Sequence, residues 1–455
     1  MTTTLPPKER TDARVPERWR LGPAFVPKGR YTDPEFLALE TERLFPRTWL
    51  NACRTDEVER VGDYVDFEIG DQSIVVVRTE SGLRAYFNAC RHRGTRLISG
   101  QGRIGEFRCP FHAWRWHLDG SLKFQADEEN FDPRPAGELC LPEVQVGTWG
   151  GWVFVNMDPD AEPLLDYLDP LPARLAGFKL EDMRIAWYKR VVLPANWKTS
   201  LDAFIESWHV PGTHPQLLRP DKHQSPPTIA ESERYGRTYN ELFRYHSRHA
   251  DFYRYGPDAD PAMPRNTYGV DARALLTNVE YNLRELRALY LSTDRLAAGE
   301  LLAEAGDNPA AGANYSELRK KHARAAGIDV PDLTSDQLRN GMYDWHLFPN
   351  TVFLLEMGCV LTYRARPNGT DPDSCIFDIQ GLELPPAEGI ATARPEFYED
   401  WREGDVGEIL SQDFSNMSEV TSGLHSRSFD GHRLNTLQEM TIWNYHRAMD
   451  GFLFD

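Results

Sequence analysis

Two short arms, Cys90-x-His92 and Cys109-x-x-His112, constrain this chain more than any other feature, because the four side chains can serve one metal centre only if the arms converge. Each arm carries one thiol and one imidazole. Two thiolates on one iron and two imidazoles on the other make a mixed-ligand [2Fe–2S] centre, whose reduction potential lies well above that of an all-cysteine ferredoxin. A structural zinc also accepts Cys and His, but zinc sites usually bring cysteines as C-x(2–4)-C and histidines as H-x(3–5)-H. The mixed arms therefore point to iron–sulfur and to a protein that accepts electrons.

The surroundings agree. Cys90-Arg-His-Arg-Gly94 and Cys109-Pro-Phe-His-Ala-Trp114 closely resemble the cluster-binding loops of the Rieske protein family. Trp114 and Trp116 are placed to shield such a cluster from water, whereas His117 has no place in the pattern. Between the arms, Gly100-Gln-Gly102-Arg-Ile-Gly105 fits the dinucleotide fingerprint G-x-G-x-x-G. That fingerprint needs a helix after it to receive the pyrophosphate, and here Glu106-Phe-Arg-Cys-Pro110 follows, so no NAD or FAD site is expected.

With 455 residues, 41% of them apolar and 11% aromatic, the chain is globular and long enough for two or three domains. A formal net charge of −18 argues against nucleic acid as a partner. Six cysteines, at 53, 90, 109, 140, 359 and 375, suit metal ligation in a reducing compartment better than a disulfide framework. Residues 1–20 lack an apolar core of the signal-peptide kind and no run approaches eighteen apolar residues, so a cytoplasmic protein without a membrane span is expected.

From about 60 to 158 the pattern is all-β: Tyr64–Ile69, Ser73–Val77, Arg84–Asn88 and Trp152–Val155 read as strands with Gly-containing turns between them. A proline-rich stretch, Pro159 to Pro172, marks the exit from that domain. Beyond it, Ala272–Tyr290 has the three-and-four spacing of an amphipathic helix, Val352–Arg364 and Ser374–Leu384 read as strands, and Asn435–Leu453 as a terminal helix. Residues 220–265 read as loops.

A second candidate metal site lies in Asn196-Trp-Lys-Thr-Ser-Leu-Asp202-Ala-Phe-Ile-Glu206-Ser-Trp-His209-Val-Pro-Gly-Thr-His214. Histidines five apart point about 140° apart on an ideal helix, but Pro211-Gly212 between them kinks a helix and can bring the imidazoles together. Two histidines and one carboxylate with open positions opposite form the facial triad of non-haem Fe(II) oxygenases; the alternative is that the pair merely caps or packs a helix end.

Taken together, the two sites resemble the catalytic alpha subunit of Rieske non-haem iron oxygenases, the ring-hydroxylating dioxygenase family, from about residue 35 onward. The resemblance implies an α+β fold: a small antiparallel all-β Rieske [2Fe–2S] domain at 45–158, and a larger, helix-grip-like catalytic domain with an antiparallel sheet from 1–44 and 159–455. It implies one [2Fe–2S] cluster on Cys90, His92, Cys109 and His112, and one mononuclear Fe(2+) on His209, His214 and a distal aspartate. Gln412-Asp413 matches the family's dipeptide, so Asp413 is assigned, with Asp405, Glu408 and Glu419 as competitors. Glu206 takes the position of the carboxylate that links the mononuclear site to the cluster of a neighbouring subunit, and Asp202 is a candidate to orient His209.

The same resemblance implies electrons from a ferredoxin or flavin reductase, O2 and a small organic compound as substrates, and a homotrimer, in some members with small β subunits. The first expectation for substrate is an aromatic or other bulky apolar compound, with Val210, Leu217, Leu218, Trp345, Phe348 and Leu354 as pocket candidates. Glu206, where many ring-dihydroxylating members carry Asp, is similar to members acting on non-aromatic or quaternary-ammonium substrates, so a monooxygenase or demethylase for such a substrate is kept as the alternative. Arg91, Arg93, Arg96, Arg103 and Arg108 around the arms are candidates to attract an acidic ferredoxin. Two readings from other classes are an electron carrier with no mononuclear iron and a zinc-stabilised interaction protein.

Overall fold

The computed structural model describes residues 14–218, 241–246, 248–254, 272–305, 315–334, 337, 343–436 and 438–455. The chain divides into two compact units, Ala38–Tyr167 and a second that joins the segment up to Leu37 to Leu168–Asp455. No helix among the described residues is long and apolar enough to cross a membrane.

The first unit is a sheet with a ribbon. Its strands are β1 (Leu50–Arg54), β2 (Asp63–Ile69), β3 (Gln72–Thr79), β4 (Gly82–Phe87), β5 (Gln101–Arg103), β6 (Phe107–Arg108), β7 (Arg115–Trp116), β8 (Leu122–Phe124), β9 (Glu143–Trp149) and β10 (Trp152–Asn156). Seven form an antiparallel sheet in the order β1-β10-β9-β4-β3-β2-β5, and β6, β7 and β8 form a separate three-stranded ribbon. Ile74 to Val77 are all fully buried, which is why β3 reads as a continuous apolar run rather than an alternating one. The glycines that mimic a dinucleotide fingerprint fall in and beside β5, which pairs with β2, and a strand follows instead of a helix.

The second unit is built on an eight-stranded sheet of β11 (Arg184–Leu193), β12 (Glu241–His246), β13 (His249–Arg254), β14 (Tyr343–Leu347), β15 (Thr351–Glu356), β16 (Cys359–Asn368), β17 (Asp371–Glu383) and β18 (Glu396–Tyr398). The order is β12-β13-β14-β15-β16-β17-β11-β18, antiparallel throughout except for the edge strand β18, which runs parallel to β11. Besides the short helices Gly29–Thr32 and Leu171–Arg174, it carries α1 (Trp197–Asp202), α2 (Val210–Thr213), α3 (Pro215–Leu218), α4 (Ala272–Glu285), α5 (Asp294–Ala305), α6 (Tyr315–Ala325), α7 (Gly407–Leu424) and α8 (Met440–Leu453).

Four readings of elements are corrected. The run Val352–Arg364 is a hairpin, β15 and β16, turning at Met357-Gly358, where Gly358 has φ +86°. The helix expected to reach Tyr290 stops at Glu285, because Arg287 and Leu289 both adopt positive φ. The terminal helix begins at Met440 rather than Asn435. Within 220–265, β12 and β13 pair as a hairpin, and the rest of that stretch lies outside the described residues.

Helix α7 positions the site. Ile409, Leu410, Asp413, Phe414, Met417, Thr421 and Leu424 are its buried residues, at the three-and-four spacing of a helix stripe, so Asp413 occupies a core-facing position among apolar neighbours. Its start passes close to the end of α4: a Cβ at Gly407, which has φ +81°, would lie 1.8 Å from the Glu285 carbonyl oxygen.

Candidate metal centres

Each arm of the first unit closes on itself. Gly94 N–H donates to the Cys90 carbonyl and Cys90 N–H to the Thr95 carbonyl, while Ala113 N–H donates to the Cys109 carbonyl and Cys109 N–H to the Trp114 carbonyl. These tight loops aim one thiol and one imidazole apiece at a common point. Cys90 and Cys109 are 4% and 2% exposed and their thiols hydrogen-bond each other, and the rings of His92 and His112 lie 4.7 Å apart. His92 Nδ1 and His112 Nδ1 are buried with no hydrogen-bond partner among the described residues. A buried imidazole nitrogen without a partner is costly, and a metal answers it.

Local electrostatics suit the same group. Burial raises the Cys90 thiol, partly offset by the backbone N–H groups of His92 and Arg93. Cys109 is buried too, but the N–H groups of His112 and Phe111 hold it below the ordinary thiol value. Burial, with the charges of His112 and Arg93, lowers His92, so its imidazole is neutral as a ligand must be. Trp114 stacks on His92 at 5.2 Å and 9°, and Trp116 is fully buried. Phe131, which the spacing did not single out, meets both His92 and Trp114 edge-on. Four of the five arginines have local partners: Arg91 on the Glu138 carbonyl, Arg93 over the Phe111 ring, Arg96 on Asp66 and Glu68, Arg103 on Asp63.

In the second unit the histidine pair converges by helix termination, not by a kink. α1 stops at Asp202, and α2 is a single turn whose flanking residues are His209 and His214. Pro211 falls in the first turn, where its missing N–H costs nothing. His214, at φ −122° and ψ 52°, has left the helix, which swings its ring towards His209; the ring centroids lie 5.3 Å apart.

Asp413 completes the set. His209, His214 and Asp413 each offer one ligand atom, all within 4.8 Å of one another. His214 Nε2 lies 2.8 Å and His209 Nε2 3.7 Å from Asp413 Oδ1. The competitors are elsewhere: Asp405 pairs with Arg287, Glu408 accepts from the Tyr281 hydroxyl, and Glu419 is exposed.

The other ring nitrogens fix the tautomers. His209 Nδ1 is 2.6 Å from Glu206 Oε1, whose other oxygen accepts the backbone N–H groups of Trp208 and His209, and His214 Nδ1 is 2.8 Å from Gln412 Oε1. With acceptors at both Nδ1 positions, both Nε2 lone pairs face the point where Asp413 sits. Burial alone would lower His209, but Glu206, Asp413 and Asp344 raise it to about 9, so a metal binding there displaces a proton.

Asp202 does not orient His209. Its Oδ2 accepts from the Tyr31 hydroxyl at 2.7 Å, and its Oδ1 has no partner among the described residues. Burial, opposed by the Tyr31 bond and the Lys198 charge, pushes Asp202 up to about 7. A carboxyl whose folded pKa lies above its unfolded value of about 3.9 stabilises the fold below that value and loses the contribution as pH rises through the folded one. Asp202→Asn, neutral at every pH, is therefore expected to gain stability relative to the parent between pH 5 and pH 8, by a few kcal/mol at most. Thermal unfolding across that range checks it; a difference that does not change with pH contradicts it.

Beside the three ligand atoms lies a cavity of about 110 Å3. Phe204, Val210, Leu217, Leu286, Leu289, Leu354, Tyr363 and Ile409 supply its apolar wall, and Asp344 supplies a carboxylate. Val210, Leu217 and Leu354 are where the sequence placed them. Trp345 is next to Asp344 on β14 and so faces away, fully buried, and Phe348 packs on Tyr445 and Phe452. The side chain of Leu218 lies outside the described residues.

Residues 48–132 match the family model of the Rieske [2Fe-2S] domain, and residues 180–453 match that of the ring hydroxylating alpha subunit catalytic domain. The glycine betaine monooxygenase oxygenase subunit of Chromohalobacter salexigens is 36% identical over 205 residues, 44% of this chain and 45% of that protein. The carnitine monooxygenase oxygenase subunit of Escherichia coli K12 is 36% identical over 194 residues, 42% of this chain and 52% of that one. The matched region thus spans about half the length of these curated relatives. Among solved structures, a quaternary ammonium Rieske monooxygenase aligns with TM-score 0.62 at 18% identity, over 94% of this chain and 95% of that chain. Naphthalene 1,2-dioxygenase from Rhodococcus sp. aligns with TM-score 0.60 at 19% identity, over 94% of both. The two domain matches indicate a [2Fe–2S] cluster and a mononuclear iron, and with the catalytic match covering more than half of its length the chain belongs to the ring-hydroxylating alpha subunit family of Rieske oxygenases.

Proposed function

We propose that this chain is the terminal oxygenase of a monooxygenase system for a small cationic compound of the quaternary-ammonium class, fed with electrons by a ferredoxin or flavin reductase. Cys90, His92, Cys109 and His112 hold the cluster, and His209, His214 and Asp413 hold the mononuclear iron. Bound there, the cluster supplies a one-electron store and the iron supplies activation of O2. The chain does the rest. Glu206 and Gln412 hold the imidazoles in the ligating tautomer, the apolar wall excludes water, and Asp344 with the rings of Phe204 and Tyr363 orients the substrate.

The observation that carries the substrate class is the Asp344 carboxylate in a wall that, away from the three ligands and Glu206, is mostly apolar, with Ser207 and Asn282 as its other polar side chains. Asp344 is 6% exposed, and the adjoining Phe204 and Tyr363 rings lie 4.2 Å apart, a surface that suits an alkylammonium group. The volume, about 110 Å3, is far below the roughly 300–1,000 Å3 of pockets for drug-sized ligands and disfavours a bulky polycyclic substrate. Relatives named for glycine betaine and carnitine support the same reading.

The test is a substrate panel run on the parent and on Asp344→Asn. Attraction between unit charges about 5 Å apart is on the order of 3 kcal/mol at an effective dielectric of 20, so even after desolvation the variant is expected to raise KM for cationic substrates about tenfold or more. Neutral aromatic compounds should show no such loss. Turnover of neutral aromatics alone, indifferent to Asp344, would overturn the substrate class and leave the family standing.

We also propose that the chain works as a homotrimer in which Glu206 meets the cluster of a neighbouring subunit. Light scattering recorded alongside activity is expected to show turnover falling as the assembly dissociates on dilution. A monomer with undiminished turnover contradicts it.

A further inference from the structure

Gln412 is an amide, and an amide can turn either its oxygen or its NH2 group towards His214 Nδ1. Only the oxygen leaves His214 Nε2 free to bind metal. Something must therefore choose between the two orientations, and the choice leads away from the site along a chain of hydrogen bonds.

Gln412 Oε1 accepts from His214 Nδ1 at 2.8 Å and from Gln216 Nε2 at 2.7 Å. Gln216 is 2% exposed, and its side chain also donates to the hydroxyl of Tyr281, which in turn donates to Glu408 Oε2 at 2.9 Å. Burial and the Glu408 carboxylate, outweighing the Gln216 bond, raise the Tyr281 phenol, so it stays protonated and able to donate. Glu408 is exposed at the start of α7, one turn before Gln412.

Every direction in this chain follows from its outer end. An ionised carboxylate only accepts, so the Tyr281 hydroxyl must donate to it and the Tyr281 oxygen is left to accept. The Gln216 NH2 group fills that role, and its second N–H then meets the oxygen of Gln412. We infer that Glu408, Tyr281 and Gln216 are positioning residues: they form an oriented relay from a surface carboxylate to the iron ligand His214, fixing the Gln412 amide and through it the His214 tautomer. The relay rests on the proposal that His214 binds iron through Nε2.

The test uses the full chain with its cluster intact and the mononuclear site emptied of iron, titrated anaerobically with Co(II). Binding in the parent that is lost in His214→Ala upholds the ligand assignment; no difference between them overturns that assignment, and the relay with it. Given the ligand, Gln216→Glu is decisive. Titrated at a pH high enough to ionise the buried carboxyl, the new side chain cannot donate, so Gln412 must turn its NH2 group to the carboxylate and to His214, and affinity is expected to fall about 10- to 100-fold despite the added negative charge. Gln216→Met, with no donor and only a weakly accepting sulfur, leaves the amide nearly free and should lose only a few-fold. A role in packing alone predicts the reverse order, since Glu is the closer match in shape to Gln, and that order would overturn the relay. Tyr281→Phe checks it independently: the variant should weaken Co(II) binding in the parent but not in Gln412→Glu, whose carboxylate accepts in either orientation. Equal weakening in both backgrounds would also overturn it.

Discussion

In Glu206→Gln, reoxidation of the cluster by O2 with substrate bound is expected to slow steeply even when the mononuclear site is saturated with iron. Glu206 is 8% exposed, and both of its oxygens are occupied, Oε1 by His209 Nδ1 and Oε2 by the N–H groups of Trp208 and His209. Glutamine keeps the shape but has only one oxygen. If that oxygen faces the backbone, the NH2 group faces His209 Nδ1 and turns the ring to the wrong tautomer. If it faces the ring, the NH2 group opposes two backbone N–H groups. Either way the bond to His209 loses its charge, and charged hydrogen bonds are roughly twice as strong as neutral ones. Iron affinity should fall about 10- to 100-fold, so the measurement needs saturating iron. A solvated helix carboxylate would predict a change within about 0.5 kcal/mol. Rapid mixing decides: a parental reoxidation rate in the iron-loaded variant rules out a role for Glu206 in coupling the centres.

Asp413→Ala should produce the cleanest separation of the two centres. Asp413 is the sole carboxylate among the three convergent ligands and is 4% exposed, so alanine leaves two imidazoles and no charge to offset a divalent ion. The cluster ligands, Cys90, His92, Cys109 and His112, belong to the other unit and are untouched. Iron is expected to fall from three to two per chain with the cluster absorption unchanged and product formation abolished. Three irons retained per chain would move the assignment to another carboxylate.

What the sequence made legible was local. The ligands within each cluster arm, and His209 with His214, lie within a few residues of each other, so spacing sufficed to pair them although the expected kink at Pro211-Gly212 is a helix end instead, and Gln412-Asp413 could be matched as a dipeptide. Partners distant in the chain were not legible. Asp202 looked like a neighbour of His209 from seven residues away, whereas its hydroxyl partner is Tyr31, on an element 171 residues earlier. The relay joins positions 216, 281, 408 and 412, and nothing in any one segment announces the others. The hairpin of β15 and β16 was read as one strand because both arms are apolar and the turn rests on Gly358 alone. Trp345 was taken for a pocket residue although no strand had been read around it, so which way it faces could not be derived; Asp344 faces the cavity instead.

A single turnover without any donor protein tests the central claim most directly. The chain is reduced chemically, freed of reductant, and mixed with O2 and one small quaternary ammonium compound, glycine betaine or carnitine; monooxygenation needs two electrons, and the reduced cluster and ferrous iron together hold them. Cluster reoxidation accompanied by oxidised product approaching one per chain is the predicted result. Reoxidation that yields no product from either compound, in protein shown to hold three irons per chain, would contradict it.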